Sequence, residues 1–173
     1  LDHATMSEPL SIGYYATQLA SVTNQQELKI GILGVGPIGL SVLLCLKAQG
    51  HHKISVTDKL DYRLEIARNA GAHWSGNPLD QDMESVWVEY HPNLLDIVFD
   101  CCGQQEALDQ GVRMLRPGGK LILIGIPSID RISFQADSLR RKELSLHNVR
   151  RQLDCVQPVL DLIRDGKINP DLM

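Results

Sequence analysis

From residue 28 onward the chain alternates between two hydrophobic rhythms. Short, mostly apolar runs stand at 28–33 (LKIGIL), 53–57, 95–99 (LDIVF) and 120–124, the pattern of strands covered on both faces. Between them lie stretches with helical spacing. Residues 37–49 carry Pro37 in the first turn and Gly50 as a stop. Residues 60–70 put Leu60, Leu64 and Ala67 on one face before Gly71. Residues 79–90 read as a helix broken by His91-Pro92-Asn93, and 104–115 as another that aligns Leu108, Val112 and Leu115. Arg116-Pro117-Gly118-Gly119 signals a turn, and Gly125 and Pro127 close the run at 120–124. Residues 143–147 (ELSLH) alternate as a sixth strand at a sheet edge. Asp154 is placed to cap a last helix reaching about residue 165, with Val156, Val159, Leu160 and Ile163 turned inward. Strand and helix in alternation require parallel strands joined by crossover helices. The expected fold is therefore α/β and doubly wound, a six-stranded parallel sheet with helices on both faces.

Directly after the first strand comes Gly34-Val35-Gly36-Pro37-Ile38-Gly39, a G-x-G-x-x-G. Gly34 permits the tight strand-to-helix turn, Gly36 lets a pyrophosphate approach the backbone, and Gly39 lets helix and strand pack closely. The helix start offers unpaired N–H groups and the positive end of a dipole to phosphate. Nineteen positions after Gly39, at the end of the second strand, stands Asp58. A carboxylate there can accept both ribose hydroxyls of an adenosine and repels a 2′-phosphate, which points to NAD rather than NADP. Asp58 could also simply cap the helix that begins near Leu60. Together these features predict that residues 27–173 form an NAD(P)-binding domain of the Rossmann type. Residues 7–20 (SEPLSIGYYATQLA) read as an amphipathic helix and 23–26 as a polar connector, so 1–26 form a separate lead-in piece.

Composition narrows the partners. The chain has 173 residues, 43% hydrophobic and 22% charged, with a formal net charge of −4 and no block of basic residues. That excludes a nucleic-acid binder, which needs a concentrated basic face. The longest apolar stretch, 40–46, contains a serine and is far too short to span a bilayer. No basic start followed by an apolar run marks a secretion signal. Four cysteines, Cys45, Cys101, Cys102 and Cys155, form no C-x-x-C, which fits reduced thiols in the cytoplasm. Six histidines show no metal spacing, and His51-His52 fit an exposed turn. Cys101-Cys102 fit small buried packing beside a cofactor, and Arg140-Arg141-Lys142 a solvated face. No arrangement for nucleophilic catalysis is recognisable. The chain opens at Leu1 without an initiator methionine and stops at Met173, so it reads as an excised segment.

Five segments in order, 34–40 (GVGPIGL), 58–63 (DKLDYR), 69–72 (NAGA), 100–103 (DCCG) and 115–125 (LRPGGKLILIG), strongly resemble the zinc-dependent medium-chain dehydrogenases. The similarity is greatest to the sorbitol and threonine dehydrogenase branch, whose lead into the cofactor domain 8–11 (EPLS) also resembles. By that resemblance the fold is a Rossmann domain holding NAD. The backbone at Gly36 and Pro37 would face the pyrophosphate and Ile38 the nicotinamide end. Asp58 would hold the adenosine ribose and Arg63 lie along the adenine. Cys102 and Gly103 would border the ribose pocket, Ile124, Gly125 and Ile126 line the nicotinamide side, and Val149 and Arg150 close over the cofactor. Glu8 matches a glutamate near the catalytic metal in relatives, and reads equally as a helix-starting acid.

In that family an N-terminal domain binds the catalytic zinc, which polarises the substrate hydroxyl so that hydride can pass to the nicotinamide. The zinc ligands do not occur in this sequence, so the chain by itself is expected to hold cofactor without turning over an alcohol or polyol. Relatives pair through the edge strand, and 131–134 (RISF) alternates suitably, so a homodimer or tetramer is expected. Two other classes stay open at this point: a regulatory module that senses NAD(H) without catalysis, and a methyltransferase with a similar glycine loop.

Overall fold

The computed structural model describes residues 5–22, 27–90, 92 and 94–173. The connector at 23–26, His3, His91 and Asn93 lie outside the described residues. Six strands form one sheet: β1 (Ile30–Leu33), β2 (Ile54–Thr57), β3 (Trp74–Gly76), β4 (Leu95–Asp100), β5 (Leu115–Leu123) and β6 (Ser145–Asn148). Their order is β3-β2-β1-β4-β5-β6 and every neighbouring pair is parallel. The expected doubly wound α/β architecture is therefore the observed one.

Period-two alternation sends side chains to two cores. Ile30, Ile32, Ile97, Phe99 and Ile122 face one side, which is covered by α1 (Ser7–Leu19), α2 (Pro37–Ala48), α3 (Asp61–Asn69) and α7 (Val156–Arg164). Leu33, Val98, Leu121 and Leu123 face the other, beneath α4 (Met83–Tyr90), α5 (Gln105–Met114) and α6 (Ala136–Lys142). β1 is buried at all its positions because it is central and covered on both faces, which is why its sequence shows no polar alternation. Helix α1 lays Leu10 and Ala16 into the first core, so it packs on the same sheet as the rest of the chain. Among the described residues, no helix is long and apolar enough to cross a membrane.

Several local expectations change. Strand β3 and helix α6 carry no clear periodicity and were not foreseen. Helix α4 begins at Met83 rather than residue 79. The turn at Arg116–Gly119 is real but lies within β5. Leu115 pairs with Leu95 and Lys120 with Ile97, so four residues bulge where the partner strand has only Asp96. Leu60 precedes α3 and is exposed, as are Val156 and Leu160, while Val159 is fully buried. Asp154 does not cap α7. It has φ of 53°, and the N-cap is Cys155, with no side-chain cap. Segment 131–134 is a loop rather than a strand.

Two polar side chains are also less solvated than expected. His51 is only 5% exposed, and burial, reinforced by the neighbouring His52, lowers its pKa. Lys142 leaves the basic cluster: its Nζ donates to the carbonyls of Val112, Arg113 and Leu115 at 3.0, 2.7 and 2.8 Å. It thus satisfies the carbonyl end of α5, where a cation also meets the negative end of the dipole. Arg140 and Arg141 remain exposed and pair with Asp137.

Candidate functional site

In an open parallel sheet, ligands settle at the carboxyl ends of the strands, at the point where strand order reverses. That point lies between β1 and β4, and two adjoining cavities open there. The first, about 810 Å³, is lined by Gly34, Gly36, Pro37, Ile38, Asp58, Lys59, Leu60 and Arg63, with Pro78, Leu79, Cys102 and Gln104 among its other walls. The second, about 600 Å³, is lined by Asp100, Gly103, Ile124, Gly125, Ile126, Val149 and Arg150 among others. Ile38, Cys101 and Cys102 line both, so the two cavities share a wall. Thirteen of the fourteen sequence-predicted residues therefore face one continuous cleft.

The fourteenth, Gly39, sits behind it and shapes it. A Cβ at Gly39 would stand 1.9 Å from the carbonyl oxygen of Gly34, so no side chain fits between helix and turn. Gly34 itself has φ of +86°, the left-handed conformation that glycine adopts without penalty. Helix α2 then starts at Pro37 with Gly36 as N-cap and no side-chain cap, leaving first-turn N–H groups toward the cleft.

Asp58 is 8% exposed and held from two directions. Val35 N–H donates to its Oδ2 at 2.9 Å, and Leu60 N–H to its Oδ1 at 3.0 Å. Arg63 Nη1 lies 3.6 Å from the same Oδ2. One carboxylate thus ties the glycine turn to the residue that leads into α3, although the N-cap of that helix is Leu60, with no side-chain cap. A carboxylate has about four lone-pair sites, and these two N–H bonds leave acceptor capacity at the cleft. Lys59 Nζ donates to Gln104 Oε1 at 2.6 Å, joining the ends of β2 and β4 across the first cavity.

Asp100, at the end of β4, was missed by sequence reasoning and is 1% exposed. Its Oδ1 accepts from Cys102 N–H at 3.2 Å and Gly103 N–H at 3.0 Å, and its main-chain oxygen accepts from Ile124 and Gly125 N–H, both at 2.9 Å. The turns 101–103 and 124–127 are in backbone contact, since a Cβ at Gly125 would lie 2.1 Å from Gly103 N. The sequence signal available was an acid ending a strand before Cys-Cys-Gly. Burial, with Asp100 nearby, pushes the Cys102 thiol up to about 12. The thiol donates to Asp100 Oδ1 at 3.2 Å.

A family model described as zinc-binding dehydrogenase matches residues 37–165, well over half the chain. The chain belongs to the zinc-binding dehydrogenase family. Curated relatives of this chain include sorbitol dehydrogenase of Bacillus subtilis, 28% identical over 97% of the chain and 47% of the relative. L-idonate 5-dehydrogenase of Vitis vinifera is 30% identical over 98% of the chain and 47% of the relative. The chain thus spans about half the length of the curated relatives it matches. Among solved structures, an alcohol dehydrogenase of E. coli CFT073 complexed with NADH superposes with a TM-score of 0.89. It is 26% identical, over 96% of this chain and 49% of that one. A protein of Sinorhizobium meliloti 1021 bound to NADP shares the fold, with a TM-score of 0.91 at 22% identity over 99% of this chain and 51% of that one.

The residues of this chain fit a dinucleotide, with an uncapped helix start, a buried acceptor and two joined cavities. They do not fit the metal: among the described residues, no three His, Cys, Asp or Glu side chains come together as ligands.

Proposed function

We propose that this chain is the NAD(H)-holding half of a zinc-dependent dehydrogenase that oxidises a secondary alcohol or polyol. Asp58 carries the reading: a nearly buried carboxylate at the end of β2, already oriented by Val35 and Leu60, with acceptor capacity turned to the cleft. Gly36 and the start of α2 would receive the pyrophosphate, the dipole and free N–H groups favouring its charge. Asp58 would take the adenosine ribose hydroxyls, with Arg63 beside the adenine. Cys102 and Gly103 would border the ribose, while Ile124, Gly125, Ile126, Val149 and Arg150 would enclose the nicotinamide. Ile126 is 90% exposed, so it would act as a rim that covers the ring rather than a floor. When bound, NAD supplies the hydride acceptor.

The chain's own residues bind, orient and exclude water. Zinc and the groups that grip the substrate are assigned by this reading to protein outside the described residues. The names of the relatives, sorbitol, L-idonate and L-threonine dehydrogenases, support an alcohol substrate. Nothing in the site or the relatives favours a sensor module or a methyltransferase.

A calorimetric titration with NAD+, NADH and NADP+ tests the reading. NAD+ and NADH are expected to bind and NADP+ to bind at least about tenfold more weakly, because a 2′-phosphate would meet the Asp58 carboxylate. Tighter binding of NADP+ would refute the NAD assignment.

Two further properties belong to the same reading. The four unpaired cysteines support a reducing, cytoplasmic setting. Among the described residues β6 has a neighbour on one side only, and Ile126, Ile129 and Ile132 are exposed nearby in sequence, which supports association as a dimer or tetramer. Sedimentation equilibrium is expected to show at least a dimer, and a monomer at all concentrations would dismiss it.

A further inference from the structure

We infer that Asp100 tunes the site toward the oxidised cofactor. Resting on the dinucleotide reading above, the inference concerns the second cavity. With the adenosine half beside Asp58 in the first cavity, a dinucleotide that crosses the shared wall at Ile38 and Cys102 puts its nicotinamide in the second. The oxidised ring carries a positive charge and the reduced ring carries none, while the rest of the molecule is unchanged. Any fixed charge in that cavity therefore separates the two forms by Coulomb energy alone.

Among the described residues, two charged side chains line the second cavity, Asp100 and Arg150. They differ in weight. Arg150 is exposed, so water and salt screen it. Asp100 is 1% exposed, with the buried Leu108, Leu123, Ile124 and Val149 among the other lining residues, so solvent screens its charge less than that of Arg150. Its hydrogen-bond partners are the N–H groups of Cys102 and Gly103 and the thiol of Cys102, which orient the carboxylate without neutralising it. Among the described residues, no lysine or arginine forms an ion pair with it. The net field in the cavity is therefore negative and favours the cationic ring. By linkage, a site that favours NAD+ makes the bound couple harder to reduce.

The same carboxylate also holds the turn 101–103, so a purely structural role must be separated from an electrostatic one. The ratio of the NAD+ and NADH dissociation constants does this, because a displaced wall weakens both forms alike. Asp100→Asn keeps the size and one acceptor oxygen for the Cys102 and Gly103 N–H groups but removes the charge. Calorimetry on the full chain is expected to show the Kd ratio of NAD+ to NADH rising about fivefold in this variant. Affinity for ADP, which reports the first cavity, should stay within about twofold. Should Asp100→Asn not fold, Asp100→Ser, smaller and also uncharged, gives the same ratio test. A ratio unchanged in the folded variant overturns the inference and leaves the dinucleotide reading standing. A wild-type chain that binds ADP but neither NAD+ nor NADH also overturns it, since the second cavity then does not take the nicotinamide. A wild-type chain that binds none of the three overturns both.

Discussion

Replacing Asp58 with serine is expected to weaken NAD+ binding by about ten- to a hundredfold and to bring NADP+ to equal or better affinity. Hydrogen bonds to a charged acceptor contribute about 1.5–3 kcal/mol each, and the ribose would lose that acceptor. The carboxylate also repels a 2′-phosphate, and its removal leaves Lys59 and Arg63, which line the same cavity, as unopposed cations near that position. The reversal should therefore exceed the simple loss. Some instability is expected as well, of about 1–2 kcal/mol, because the Val35 N–H that donates to Asp58 is left without its acceptor. Parallel titrations with NAD+ and NADP+, alongside a thermal melt, separate the two effects. If both cofactors bound the variant as they bind the wild type, Asp58 would be only a structural link between the glycine turn and α3.

The second large effect is expected at Gly39. In Gly39→Ala the new methyl would stand 1.9 Å from the oxygen and 2.9 Å from the carbonyl carbon of Gly34, and both are backbone atoms that no rotamer change can move aside. Helix α2 must back away from β1, at a cost of about 3 kcal/mol or more, the upper end for overpacking. Cofactor binding should vanish with the turn. Gly36→Ala supplies the contrast. Its backbone, at φ −66° and ψ −170°, suits any residue, and the nearest atom to a new Cβ is Arg63 Nη1 at an ordinary 3.5 Å. That variant should melt within about 1 kcal/mol of the wild type yet bind cofactor more weakly, because the methyl occupies cleft space that the pyrophosphate would need. Equal stability of the two variants would mean that the third glycine of the motif has no packing role in this chain.

The motif, its strand and helix, and Asp58 at the end of the next strand are local features with local causes. A tight turn, an uncapped helix start and an acid at a strand end are written into adjacent residues. Strands buried on both faces announce themselves as unbroken apolar runs, so β1, β2, β4 and the register-bearing part of β5 were legible. Short elements were not. Trp74–Gly76 spans only 3 residues and 136–142 only 7, below the length at which a period can be recognised.

Where long-range packing sets the environment, single-residue character misled. His51 looks like a surface residue and is buried. Lys142 belongs by sequence to an exposed basic cluster, but its amine reaches back about thirty positions to close α5. Val156 and Leu160 have the spacing of a core face yet remain exposed, and 131–134 alternates like a strand without pairing as one. Asp100 is the clearest case. Its place in the sequence marks only a strand end. Its environment comes from two turns, 101–103 and 124–127, that meet because β4 and β5 are neighbours.

The sequence by itself thus determined the α/β class, the glycine turn and its acidic partner, since these depend on periodicity and on conformations that a few adjacent residues impose. Only the tertiary structure decided which acids are buried, how the two cavities join, and that Asp100 lies buried in the wall of the second. Burial and dielectric are properties of what the fold brings around a residue, and no residue carries them in its own identity.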